Sequence, residues 1–236
     1  MNPYQKLQQR KRTWTPVQTT AGTVRDGSQE TIYRALAMRH MELPVGSFIQ
    51  DALSEIPALS ADLLRSNVKD EENHDLALGY IANALGVDET AEAEAKRLRD
   101  AWQAHPDHTV LKALVAERAI FFVLLPFFRF NGDAGLRTVS ADISRDEQVH
   151  VAANSLVCKE LGLEISPSLD KLRKATINWV MSPLKASTNK YLDKKFWLDA
   201  SDRLMYEGKA PELSDTKRAR MPAFFEHANP NLPQYA

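Results

Sequence analysis

The sequence predicts an all-α fold: a four-helix bundle of two antiparallel helix pairs, with additional C-terminal helices. Three observations carry this expectation. Nine glycines in 236 residues, and long Ala/Leu/Glu/Arg stretches that never alternate apolar with polar, argue against strands. Apolar residues recur instead at helical spacing, as in Leu63, Leu64, Val68, Leu78 and Ile81. Two turn signals, near Pro57 and at Asn131-Gly132-Asp133, each close a hairpin whose arms carry matched acidic residues.

Size and composition narrow the function classes. A chain of 236 residues can bury one large core without a second domain. A net charge of −1 gives no electrostatic case for nucleic acid or an anionic membrane. Cys158 is the only cysteine, which excludes an intramolecular disulfide framework and any cysteine-based metal cage. The segment MNPYQKLQQRKRTW lacks the apolar core of a secretory signal, and the most apolar run, 119–128, is too short to span a bilayer. A cytoplasmic protein is expected, with an N-terminal arm (1–27), a helical domain (28–207) and a C-terminal tail (208–236).

The arm is polar, and its basic cluster Arg10-Lys11-Arg12 reads as solvated. A helical pattern opens at Ser28 and Glu30 and runs through Ile32, Leu36, Met38 and Met41 to Glu42. Pro44 should kink or break it before it resumes through Phe48, Ile49 and Leu53. Pro57 and Ser60 mark a turn, with Ser60 the expected N-cap of a helix from Ala61 to a stop at Gly86. Residues 88–104 form a charged, Ala-rich helix packed by one narrow stripe; His105 and His108 follow in a Pro-containing loop, outside any site. The helix over 110–130 is expected to be the most buried, with Glu117 near its middle. Beyond the turn at 131–133, a helix runs from about 135 to 161. Helical stretches over 168–183 and 188–207 come next, packed by Trp179, Phe196 and Trp197. The tail, rich in Pro, Asp and Lys, reads as a surface wrap or a docking peptide.

The residues that carry chemistry come twice. Asp70-Glu71-Glu72-Asn73-His74 returns seventy-six residues later as Asp146-Glu147-Gln148-Val149-His150. A Glu and a His three apart on a helix point about 60° apart, so both can reach one metal ion. The midpoint between Glu42 and Glu71 falls between Ile56 and Pro57, and that between Glu117 and Glu147 falls on Gly132. Both are predicted turns, so each hairpin sets a lone glutamate opposite an Asp-Glu-x-x-His segment. A lone ionised Glu117 in so apolar a helix is costly unless paired or metal-bound. Two Glu-x-x-His pairs and two single glutamates facing into a bundle make the ligand set of a di-iron or di-manganese carboxylate site. Glu42, Glu71, His74, Glu117, Glu147 and His150 are thus the candidate ligands, with catalysis acting through the metals. Asp146 is placed to accept the free ring N–H of His74, and Asp70 that of His150. Arg118 and Arg145 flank the ligands, as carboxylate partners or in surface salt bridges.

This pattern resembles the ferritin-like di-iron carboxylate superfamily. Within it, Glu117 to His150 looks most like the small subunit of ribonucleotide reductase. The likeness rests on AERAIFFVLLPFF, a Gly-containing turn, and ADISRDEQVH, whose Arg-Asp-Glu-x-x-His closely matches the family's second metal motif. It covers roughly residues 30–160. The resemblance implies the same six ligands, with Asp146 matching the family's aspartate beside a ligand histidine. It also implies two iron ions, a manganese–iron pair or two manganese ions, and O2 as co-substrate.

Two departures shape the functional expectation. The radical-bearing tyrosine of the reductase subunit usually lies four residues after the first histidine, where this chain has Leu78. Tyr80 lies about 180° around the helix from Glu71. The chain is also considerably shorter than a typical reductase small subunit. The expectation is an O2-activating oxidoreductase of oxygenase or oxidase type, comparable in length to the aldehyde-deformylating oxygenases. Leu78, Phe121, Leu124 and Asn154 are its candidate cavity residues. One alternative is a reductase small subunit lacking the usual tyrosine, docked through its tail to a large subunit; another is a metal-binding or storage protein. Expected partners are a small-molecule substrate or electron donor and a second copy of the chain, but neither nucleic acid nor a membrane.

Overall fold

The structure, a computed structural model, describes residues 1–213, and every regular element among them is helical. A short helix, α1 (Pro3–Gln8), opens the arm and packs on two later helices, burying Tyr4 and Leu7. The arm is therefore docked on the bundle and not simply solvated. Helix α2 (Gln29–Ala37) leads through a single 3-10 turn, Met38–Met41, into α3 (Glu42–Ala52). Pro44 sits in the first turn of α3, where a missing N–H is tolerated, so the break comes ahead of the proline.

Helix α4 (Ala58–Leu85) begins three residues earlier than expected, and Ser60 is not its cap. Ser60 is buried within the first turn, its hydroxyl donating to Pro57 O at 2.6 Å, and α4 opens on Pro57 without a side-chain cap. Helix α5 (Glu89–Ala104) is capped by Asp88, which accepts from the Ala91 N–H at 2.7 Å, and buries a stripe of Ala91, Ala95 and Trp102.

Helices α6 (Thr109–Ala116) and α7 (Phe122–Asn131) are separated by a π-helical segment, Glu117–Phe121, where the sequence pattern predicts one continuous helix. Helix α8 (Ala134–Glu160) comes after a turn at Gly132, where a Cβ would lie 2.5 Å from Phe128 O and 2.6 Å from Leu136 Cβ. Only glycine fits there. The buried Asp133 accepts from the N–H groups of Leu136 and Gly22, both at 2.8 Å, so one carboxylate caps α8 and pins the arm. Replacing Asp133 by alanine should lower folding stability by about 1–2 kcal/mol, read as a lower midpoint in denaturant melts.

Helix α3 packs on α4, α4 on α8, α8 on α6 and α7, and α6 back on α3. This closed ring is the expected bundle of two antiparallel pairs, with Leu64, Ile81, Val115, Phe127 and Ile143 in its core. Helices α9 (Pro167–Met181) and α10 (Lys194–Glu207) lie outside it, joined by the buried Arg173, which donates to Asp170, Ser201 and Asp202. Of the tail expected over 208–236, residues 214–236 lie outside the described residues.

Candidate metal centre

Six carboxylate and imidazole side chains converge from the ring. Glu42 comes from the first residue of α3, Glu71 and His74 from α4, Glu117 from the first residue of the π segment, and Glu147 and His150 from α8. None is more than 2 % exposed. One ligand atom from each of Glu42, Glu71, His74 and Glu147 lies within 4.8 Å of the others, and Glu71, Glu117 and His150 form a second such group. Glu71 belongs to both.

The two aspartates cross over between the motifs. His74 Nε2 lies 3.2 Å from Asp146 Oδ2, and His150 Nε2 lies 3.0 Å from Asp70 Oδ2. A carboxylate beside Nε2 takes its N–H and leaves the Nδ1 lone pair for a metal. Nδ1 of His74 indeed faces the glutamates, 3.3 Å from Glu71 Oε2 and 3.5 Å from Glu147 Oε1. Nδ1 of His150 lies 3.0 Å from Glu71 Oε1 but is not aligned for a hydrogen bond.

Unpaired buried atoms test whether the set suits a metal. Both carboxylate oxygens of Glu42, both of Glu147 and Nδ1 of His150 are buried without a hydrogen-bond partner among the described residues. Folded proteins rarely leave such groups unmatched, because each costs its full desolvation. Cations held by the two donor groups would give these atoms the partners they lack, Glu42 and Glu147 in one group and His150 in the other. Mixed carboxylate and imidazole donors suit iron or manganese. The buried groups are positioned to hold a metal ion.

Without metal, protons must do part of that work. Burial pushes the Glu42 carboxyl well above its ordinary pKa, and the charges of Glu71 and Glu147 add to the effect against His74. Burial and the Glu147 charge do the same for Glu117, and burial raises Glu147 itself. Glu71 goes the other way: burial would raise it, but its contacts with His150 and His74 prevail and lower it. Burial would lower both histidines. For His74 the carboxylates Asp146, Glu147, Glu42 and Glu71 outweigh it, and for His150 Asp70 and Glu71 do, leaving both well above their usual pKa.

These directions predict how stability varies with pH. Raised carboxyls bind protons more tightly folded than unfolded, so their contribution worsens as pH climbs above the unfolded value of about 4.3. The histidine contribution is complete below an unfolded pKa of about 6.5 and is lost as pH rises through the folded values. Glu71 stabilises above its unfolded pKa and loses that only in acid. Metal-free protein should therefore melt at a lower temperature near about pH 9 than near about pH 6, whereas bound metal, which favours deprotonated ligands, should oppose that fall. Paired thermal melts across pH, with and without Mn(II), check this.

Several residues around the centre have no signature in the sequence. Trp14 in the arm donates its indole N–H to Asp146 Oδ2 at 2.6 Å and stacks beside His74. Lys11 reaches Asp70 Oδ2 at 2.5 Å, so the basic cluster expected to be solvated contributes a partner to the other aspartate. Ser201 of α10 donates to Ala119 O at 2.7 Å, holding the π segment that presents Glu117. Asn154 is no open cavity wall: its side-chain amide donates to Glu117 Oε2 at 2.7 Å. Arg118 donates instead to Leu204 O, and Arg145 pairs with Asp142, so neither serves the ligands. Leu78, Phe121 and Leu124 are buried as expected of core or cavity residues. The π segment adds a residue to its turn and rotates the downstream side chains by about 100°, so Leu124 no longer shares the phase of Glu117.

Comparison with models of known families, with curated proteins and with solved structures finds no match. No helix among the described residues is long and apolar enough to cross a membrane. The architecture and the cluster are compatible with a ferritin-like di-iron fold.

Proposed function

We propose that this protein is an O2-activating dimetal-carboxylate oxidoreductase of the ferritin-like type. The observation that carries the reading is the pair of buried donor sets sharing Glu71, with five of their polar atoms lacking a hydrogen bond among the described residues. Glu42, His74 and Glu147 would hold one ion, Glu117 and His150 the other, and Glu71 would span both. Two iron ions, two manganese ions or one of each, when bound, supply the electrons and open positions for O2. Asp146 and Asp70 keep the imidazole protons on Nε2, fixing the orientation of both ligands. The six side chains are almost wholly buried, which keeps bulk water largely away from the carboxylates, and Leu78 and Phe121 belong to the same core.

The test is metal content and O2 uptake of the full chain. About two metal ions per chain are expected, with an absorption band that appears on adding O2 to the Fe(II)-loaded protein. Protein that takes up no metal, or whose optical spectrum is indifferent to O2, would end the reading.

One observation favours a second, related reading, a ribonucleotide reductase small subunit that lacks the usual tyrosine. The half-buried indole of Trp14 joins Asp146, and Asp146 joins His74. Such a chain, ending in a side chain that can be oxidised by one electron, suits exchange of single electrons with a partner protein. Nucleotide reduction on adding a reductase large subunit would select this reading; O2 consumption tied to an organic substrate alone would select the first.

A further inference from the structure

The six ligands are almost wholly buried, so an ion needs a way in. One ligand lines an opening. A surface cleft of about 170 Å³ between α3 and α4 is bounded in part by Gly46, Ser47, Gln50, Val68, Glu71 and Glu72. Glu71 is the residue common to both donor sets.

Gly46 keeps that residue within reach. A Cβ at position 46 would sit 3.4 Å from Glu71 Cβ and 3.5 Å from its Cγ, with Val68 Cγ1 at 3.7 Å. A methyl group fits there, whereas a longer side chain would extend over Glu71 or displace it. The rim is polar. Ser47, Gln50 and Glu72 are exposed, and Glu72 has no cationic partner among the described residues. Oxygen-bearing side chains and one free negative charge suit a partly hydrated cation. The volume is small for an organic substrate, since ligand pockets usually span about 300–1,000 Å³.

We propose that this cleft is the entry port for divalent cations, with Gly46 as the gap and Glu72 as the attracting charge at its mouth. The inference rests on the dimetal reading and adds to it the route by which the site is filled.

The experiment is stopped-flow uptake of Co(II) by metal-free, full-length protein, together with equilibrium Co(II) content. Glu72→Lys should slow uptake about tenfold at low salt and much less at high salt, as expected for steering by charge. Gln50→Trp, at an exposed position that does not threaten the fold, should slow uptake at every salt concentration. Gly46→Leu should do the same, and Gly46→Ala should fill at close to the wild-type rate. All these variants should reach the wild-type content in the end, apart from any loss in Gly46→Leu caused by a displaced Glu71. Normal filling rates in both Glu72→Lys and Gln50→Trp, at full loading, would overturn the port alone. A wild-type chain that holds no Co(II) at equilibrium would instead remove the dimetal reading and the port with it.

Discussion

Alanine at Glu71 should cost the proposed centre both of its metal ions, whereas alanine at Glu42 or Glu117 should cost one. Glu71 is the only residue present in both donor sets, and Glu42 and Glu117 each belong to one. Elemental analysis after loading and desalting checks this, and full occupancy of either position in Glu71→Ala would contradict it. Stability of the metal-free variants should separate the same residues by sign. Glu71 is held ionised by two histidines that lie well above their usual pKa. Its removal takes one shared carboxylate from both histidines, which keep Asp146 and Asp70, and should lower metal-free stability by about 1–3 kcal/mol. Glu117 is pushed toward its protonated form, and the Asn154 amide donates to it. Glu117→Gln keeps an oxygen for that amide and removes a group that ionises at a cost. The metal-free Glu117→Gln protein should therefore be as stable as wild type or more so, while binding metal more weakly.

The placement of these residues is legible in the sequence, because a helical hairpin converts distance from the turn into height along the bundle. Glu42 and Glu71 lie equally far from the Ile56–Pro57 bond, and Glu117 and Glu147 equally far from Gly132, which is enough to set them level. The crossed pairing of Asp70 with His150 and Asp146 with His74 is legible for the same reason. Each aspartate precedes a candidate ligand glutamate on one helix and so faces the histidine of the other.

Other features leave no periodic trace. The π segment arises where Glu117 enters an unbroken apolar run, and nothing in ERAIF distinguishes it from an α-helical turn. A regular helix would have kept Leu124 in phase with Glu117, and the inserted residue breaks that phase. Ser60 has the chemistry of a cap, but the helix starts earlier and the hydroxyl bonds back to Pro57. Lys11 and Trp14 lie in a segment with little regular structure, and only the tertiary fold shows that each reaches an aspartate beside a candidate ligand histidine.

That last contact sets the second large expectation. Asparagine at Asp146 should weaken metal binding by about 10–100-fold, the usual cost of losing the partner of a ligand histidine. The asparagine is isosteric but neutral, so it holds the Nε2 proton of His74 less firmly. Phenylalanine at Trp14 should weaken binding less, because it removes only one hydrogen bond to a carboxylate, worth about 1.5–3 kcal/mol in total and shared with folding. The indole N–H and His74 Nε2 both reach the same oxygen, Asp146 Oδ2. Their effects must therefore be coupled. The double variant should bind metal about as well as Asp146→Asn alone, which a double-mutant cycle on Mn(II) affinity would measure. Strict additivity would mean that Trp14 acts on the centre by some route other than Asp146. Lys11→Met provides the parallel experiment at the other histidine. It should weaken binding through Asp70 and His150 while leaving the Trp14 contact intact, and its effect should add to that of Trp14→Phe because the two chains of contacts share no atom.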